Sequence, residues 1–115
     1  YVEGDSGIKL ENLCALSLLK QIEYLHDANG VNQTLCYIRT KDGKEIDFAV
    51  GKNEQLAQLI EVKLTDIKPS NNWKHFRKLF PDVPCIQLVH NLEKAHMAGE
   101  ILISPAGDWL KTLSA

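Results

Sequence analysis

Two short charged segments carry the residue types that could do chemistry in this chain. The first is Glu45-Ile46-Asp47-Phe48-Ala49-Val50 and the second is Leu59-Ile60-Glu61-Val62-Lys63-Leu64. Both alternate as β-strands do. Ile46, Phe48 and Val50 would share one face, as would Ile60, Val62 and Leu64. Glu45 and Asp47, then Glu61 and Lys63, would lie on the other. Gly51-Lys52-Asn53-Glu54 supplies the turn, and a hairpin centred near residue 54 sets Asp47 opposite Glu61. Two carboxylates and an ammonium then meet on one sheet face. Hard oxygen donors suit Mg²⁺ or Mn²⁺, and a lysine beside them suits an attacking water or phosphoryl oxygens, so metal-assisted cleavage of a phosphodiester is the chemistry implied. A solvated, salt-bridged sheet face would use the same charges.

Several elements must hold that hairpin in place. Periodicity predicts a first helix over residues 8–26, with Ser6 as N-cap and Asn29-Gly30 as the stop. Glu11, Ala15, Leu18, Ile22 and Leu25 form its apolar stripe. Glu11 thus sits at the end of an apolar face, where a lone carboxylate is costly without a partner. The only cation on the adjacent sheet face, Lys63, is the expected partner. A strand follows over residues 34–40, then a turn at Asp42-Gly43 and the charged hairpin. A second helix over residues 70–80 would bury Trp73, Phe76 and Phe80 and expose Lys74, Arg77 and Lys78, with Ser70 as its cap and Pro81 and Pro84 as its end. Strands over 85–89 and 100–104 and a helical turn over 107–113 complete the chain. The core order is α-β-β-β-α-β, an α/β fold with a central mixed sheet flanked by helices. Its crossover makes the Glu61 and Cys85 strands parallel.

Asp47 followed by Glu61-Val62-Lys63 resembles the PD-(D/E)XK signature of the restriction-endonuclease-like nucleases. Ile46 stands where the signature names a proline. Gly43–Val50 together with Leu59–Lys63 resembles one branch in particular, the uncharacterised domain at the C-terminus of many bacterial and archaeal AAA-type ATPases. Gly7-Ile8-Lys9-Leu10-Glu11-Asn12 fits that branch's G-x-x-x-E-N helix start, and Leu35-Cys36-Tyr37-Ile38-Arg39 fits the strand before its acidic pair. The likeness spans residues 7–91. It implies a restriction-endonuclease-like core and a Mg²⁺- or Mn²⁺-dependent deoxyribonuclease. Glu11, Asp47, Glu61 and the Val62 backbone carbonyl would be metal ligands, and Lys63 would be the catalytic cation. It also implies an ATPase domain N-terminal to this one in the full-length protein.

Composition narrows the remaining choices. At 115 residues the chain is one domain, with 13 basic and 15 acidic residues and a net charge of −2, which disfavours a simple electrostatic nucleic-acid binder. The charge is uneven, however. Lys63, Lys68, Lys74, Arg77 and Lys78 face only Asp66 between residues 63 and 78, a local +4 that leaves −6 elsewhere. Lys68, Asn71, Lys74, Arg77 and Lys78 are therefore candidate contacts to DNA phosphates, and equally the solvent face of an amphipathic helix. Cys14, Cys36 and Cys85 have no paired spacing and suit buried free thiols in a reducing cytoplasm. His26, His75, His90 and His96 lie apart, which argues against zinc. No P-loop, dinucleotide glycine pattern or nucleophile elbow is present. No apolar run is long enough to span a membrane. Tyr1 and the linker-like stretch 1–7 point to a piece of a longer protein. Association into a homo-oligomer stays open.

Overall fold

The computed structural model describes residues 2–113, without 40, 42, 44 and 66 and without the side chains of 2–6. Three helices and six strands follow one another as α1 (Val2–Asn29), β1 (Gln33–Arg39), β2 (Glu45–Lys52), β3 (Gln55–Lys63), α2 (Asn72–Leu79), β4 (Cys85–Val89), β5 (His96–Ala98), β6 (Ile101–Pro105) and α3 (Ala106–Lys111). The strands form one mixed sheet in the order β1-β2-β3-β4-β6-β5. β1, β2 and β3 are an antiparallel meander, and β3, β4 and β6 run parallel. The mixed α/β architecture and the parallel pairing of β3 with β4 agree with the sequence reading.

Burial explains the layering. β4 is buried at all five positions, as a central strand with both faces covered must be. On one face, Leu10, Cys14 and Leu18 of α1 pack with Phe48, Ile60 and Val62, and Trp109 of α3 joins them. On the other, Trp73 and Phe76 of α2 pack with Ile46, Leu59 and Val89. Both tryptophans are core residues.

Several local expectations need correction. α1 begins at Val2, so the stretch expected as a linker is helical and Ser6 lies within the helix, not at its cap. The deepest stripe of α1 is Leu10, Cys14 and Leu18, which leaves Ala15 and Ile22 half-buried on its flank. The expected stop holds: Gly30 adopts φ 68° and its N–H reaches the His26 carbonyl at 3.0 Å, the left-handed closure glycine favours. α2 starts at Asn72, two residues later than expected, and the Ser70 hydroxyl accepts the Asn72 N–H at 3.3 Å. β5 was not foreseen, and the terminal helix begins at Ala106. Of the Asp42-Gly43 turn, Asp42 lies outside the described residues.

The hairpin register is the expected one, reached by a different route. Asn53 and Glu54 both have positive φ, so the turn is a tight two-residue one and Gly51 and Lys52 still belong to β2. Lys52 pairs with Gln55 and Gly51 with Leu56. An extra residue, Ala57, then shifts the ladder so that Val50, Ala49 and Phe48 face Gln58, Leu59 and Ile60. That bulge restores the register that brings Asp47 to Glu61.

Candidate functional site

A second bulge lies at Asp47 itself. Cys36 pairs with Ala49 and Ile38 with Ile46, so Asp47 and Phe48 together oppose the single residue Tyr37. The bulge interrupts alternation. Ile46 therefore joins the α2-side core while Phe48 and Val50 join the α1-side core, correcting the expectation that all three share a face. Bulges re-aim side chains and end pairing, and here both happen at one residue.

β2–β3 pairing ends at Phe48 and Ile60, and side chains take over from the backbone ladder. The Val62 N–H donates to Asp47 Oδ2 at 2.8 Å. The Asp47 backbone N–H lies near enough to the Glu61 carboxylate to favour its charged form. Lys63 Nζ stands 3.6 Å from Glu61 Oε2. Glu11 reaches from α1 to the same point, where its carboxyl and that of Asp47 are hydrogen-bonded to each other. The four residues named in the sequence analysis thus lie together, with one difference in their contacts. The hydrogen-bond partner of Glu11 is Asp47 and not the expected Lys63, which is a lesser, favourable charge.

The electrostatics follow from crowding. Burial is the main cause that raises Glu11 to about 7, reinforced by the hydrogen bond and charge of Asp47 and by the charge of Glu61; Lys63 pulls the other way. Burial likewise lifts Glu61 to about 7, helped by the Asp47 charge and opposed by Lys63 and the Asp47 N–H. A carboxyl–carboxyl hydrogen bond needs one proton, and Glu11 is the group whose raised pKa retains it near neutrality. Among the described residues no three His, Cys, Asp or Glu side chains converge as a ready metal cage.

An open pocket of about 300 Å³ lies beside the cluster, lined by Glu11, Asp47, Ile46, Tyr37, Arg39 and Glu45 among others. Tyr37 is 71% exposed, with its ring centroid 5.8 Å from that of Phe48. The sequence reading missed Tyr37, whose signal was an aromatic on the outward side of an amphipathic strand. Glu45 is exposed and ion-paired with Arg39 at the edge of this pocket.

The proposed phosphate contacts divide into two groups. Lys68, Asn71, Lys74 and Lys78 are exposed. Arg77 is not free: its Nη1 donates to the Val83 carbonyl at 2.9 Å and its Nη2 pairs with Glu100. The exposed face expected of α2 therefore lacks Arg77. The N-terminal end of α2 is fastened next to the site. Asn72 Nδ2 donates to the Glu45 carbonyl at 2.9 Å. Gln87, in β4 and in register with Glu61, accepts the Ser70 N–H and the Trp73 Nε1–H, each at 3.0 Å, and donates from Nε2 to the Lys68 carbonyl at 2.8 Å. Gln87 was also missed, although a lone amide within an apolar strand signals it.

Cys14 and Cys85 are buried free thiols, while Cys36 is half-buried. Among the described residues no helix is long and apolar enough to cross a membrane. No curated protein and no solved structure matches the chain. A family model does match, from residue 6 to residue 107, which takes in α1 through the start of α3 and the whole carboxylate cluster. The chain belongs to that family, described as a domain of unknown function (DUF4143).

Proposed function

We propose that this domain hydrolyses phosphodiester bonds of DNA in the manner of the PD-(D/E)XK nucleases, with a divalent cation, Mg²⁺ or Mn²⁺, as cofactor. The carrying observation is the meeting of Glu11, Asp47, Glu61 and Lys63 at the bulged end of one hairpin. Two of these carboxyls titrate near neutrality because like charges are crowded out of water, a cost that a divalent cation would relieve. The donor set is all oxygen, which suits Mg²⁺ or Mn²⁺. Glu11, Asp47 and Glu61 would hold the ion, with the Val62 carbonyl completing the shell. When bound, the ion would polarise the phosphoryl group and lower the pKa of an attacking water.

The chain's own residues have distinct tasks in this reading. The Val62 N–H fixes Asp47, and the Asp47 N–H favours the charged form of Glu61, so the hairpin backbone sets the spacing of the two acids. Loading the site would drive protons from Glu11 and Glu61. Lys63, freed from Glu61 as that carboxylate turns to the ion, would orient the water and stabilise charge developing on the phosphoryl oxygens. Tyr37 offers an exposed ring on which an unpaired base could stack, and Lys68, Asn71, Lys74 and Lys78 would contact flanking phosphates. The domain would work beside an AAA-type ATPase in the full-length protein.

The decisive assay uses single-stranded, duplex and branched DNA in Mn²⁺. Wild type is expected to cleave at least one of them, and Lys63→Ala is expected to lose about a thousandfold or more of that rate. Mn²⁺ should raise the melting temperature of wild type and of Lys63→Ala, but not of Asp47→Ala. Cleavage that survives Lys63→Ala, or equal Mn²⁺ shifts in wild type and Asp47→Ala, would sink the reading. A second reading rests on the lack of a ready three-ligand cage among the described residues: the fold serves as a silent module for binding DNA or protein. In that case DNA binds without cleavage, and no variant at Asp47 or Lys63 changes the affinity.

A further inference from the structure

α1 is apolar around much of its circumference, yet only one side of it is buried. Leu10, Cys14 and Leu18 face the core. On the opposite side Ile8, Leu13, Leu16, Leu19 and Tyr24 are each between 41% and 59% exposed. Between them Lys9, Asn12, Lys20 and Glu23 are exposed as well. A helix apolar on both sides belongs between two layers, and this domain supplies one.

We infer that a second copy of this chain covers the outer face of α1, with the two helices antiparallel about a two-fold axis at Leu16. At 100° per residue Leu16 lies at the middle of the exposed stripe, directly opposite the buried face. A two-fold there pairs positions whose numbers sum to twice that of Leu16. Ile8 meets Tyr24, Leu13 meets Leu19, and Leu16 meets itself. Lys9 meets Glu23, so the register creates two opposite-charge pairs per dimer, and Asn12 meets Lys20 without repulsion. A parallel pair would instead set Lys9 against Lys9 and Glu23 against Glu23. Asp27 falls opposite position 5, also an aspartate, at the outer ends of the contact about 16 Å from the axis. Self-complementarity of this kind is required of an isologous contact and of no other. The apolar stripe from Ile8 to Tyr24 spans about 24 Å of helix, so the axes must cross at a shallow angle, near the 20° class, for its length to engage. Glu11 lies outside the stripe, so the pocket beside the carboxylate cluster is left uncovered in the dimer.

Sedimentation of the 115-residue chain over a concentration series tests the pairing, with circular dichroism as the control for folding. Wild type is expected to approach twice the monomer mass. Lys9→Glu and Glu23→Lys should each weaken association about tenfold or more, because each makes two like-charge contacts per dimer. The double variant carrying both exchanges should recover wild-type association. Leu16→Lys should abolish association and leave the melting curve of the monomer unchanged, since Leu16 is solvent-exposed there. A wild type that sediments as a monomer throughout overturns the inference. So does a dimer indifferent to Leu16→Lys, or a double charge exchange that fails to restore what each single exchange removes.

Discussion

Glu61 and Gln87 are register partners on the adjacent parallel strands β3 and β4, and they are 3% and 0% exposed. Burial treats these two polar side chains alike, and their surroundings do not. Gln87 accepts two N–H groups and donates to a carbonyl, so each of these contacts satisfies a group that would otherwise lie unpaired near the core. Glu61 shares its space with Asp47 and gains only partial relief from Lys63. A saturated amide in the interior stabilises the fold around it. A buried acid placed among acids costs stability in the ligand-free state. That contrast separates a polar residue that holds the architecture together from one whose burial costs stability, and the costly one lies at the β2–β3 end of the sheet, where the proposed site is placed.

The largest effect expected from this contrast is on the structural side. Gln87→Leu keeps the volume of the β4 side chain but strands the Ser70 N–H, the Trp73 Nε1–H and the Lys68 carbonyl. At about 1–3 kcal/mol for each buried group left unpaired, with some relief from water at the half-buried ones, a loss of about 3 kcal/mol is expected in urea unfolding. A loss below about 1 kcal/mol would mean that the segment before α2 is held by something other than Gln87.

The matching change on β3 carries the opposite sign. Glu61→Gln retains an acceptor for the Asp47 N–H and removes the charge. The Glu61 carboxyl rises from its ordinary 4.5 to about 7 in the folded state, so the folded protein binds its proton more tightly than the unfolded chain does. Stability from this source is complete below the unfolded value and is lost as pH climbs through the folded one. Wild type should therefore weaken between about pH 4.5 and pH 7, with Glu11 contributing in the same direction. Glu61→Gln should flatten that slope and be more stable than wild type above pH 7 by about 2 kcal/mol. Urea titrations at pH 5 and pH 8 measure both quantities. Equal stability changes at the two pH values would show that Glu61 is not strained in the ligand-free protein.

The sequence made the hairpin legible because each of its cues was local. Alternation identified β2 and β3, and turn residues placed the connection. The register came out right only because Ala57 adds the residue that the tighter Asn53-Glu54 turn removes. The bulge at Asp47 was not legible, since nothing in Ile46-Asp47-Phe48 departs from plain alternation. It is set by pairing with β1, a contact between strands. The position of Glu11 was foreseeable from helical spacing, but its partner was not. Choosing between Asp47 and Lys63 depends on where the chain ends of β2 and β3 lie under α1. Arg77 shows the same limit: helical spacing put it on an outer face, while Val83 and Glu100 arrive from elsewhere in the chain to hold it.

The smallest expected effects separate Arg77 from its neighbours on α2. Arg77→Ala removes the hydrogen bond to the Val83 carbonyl and the pairing with Glu100, so unfolding should become easier by about 1 kcal/mol. Lys74 and Lys78 are exposed, and replacing both with alanine should change stability by less than about 0.5 kcal/mol. In the proposed function their effect is on DNA binding instead. If both lysines neutralise phosphates, the slope of log affinity against log salt should fall by about 1.8 in the double variant on duplex DNA, and by about 1.4 on single strands. Arg77→Ala, whose guanidinium is already committed within the protein, should leave that slope unchanged. An Arg77 variant that flattens the salt dependence as much as the lysine pair would return the arginine to the DNA-facing surface. It would also show that its bonds to Val83 and Glu100 give way when phosphate is near.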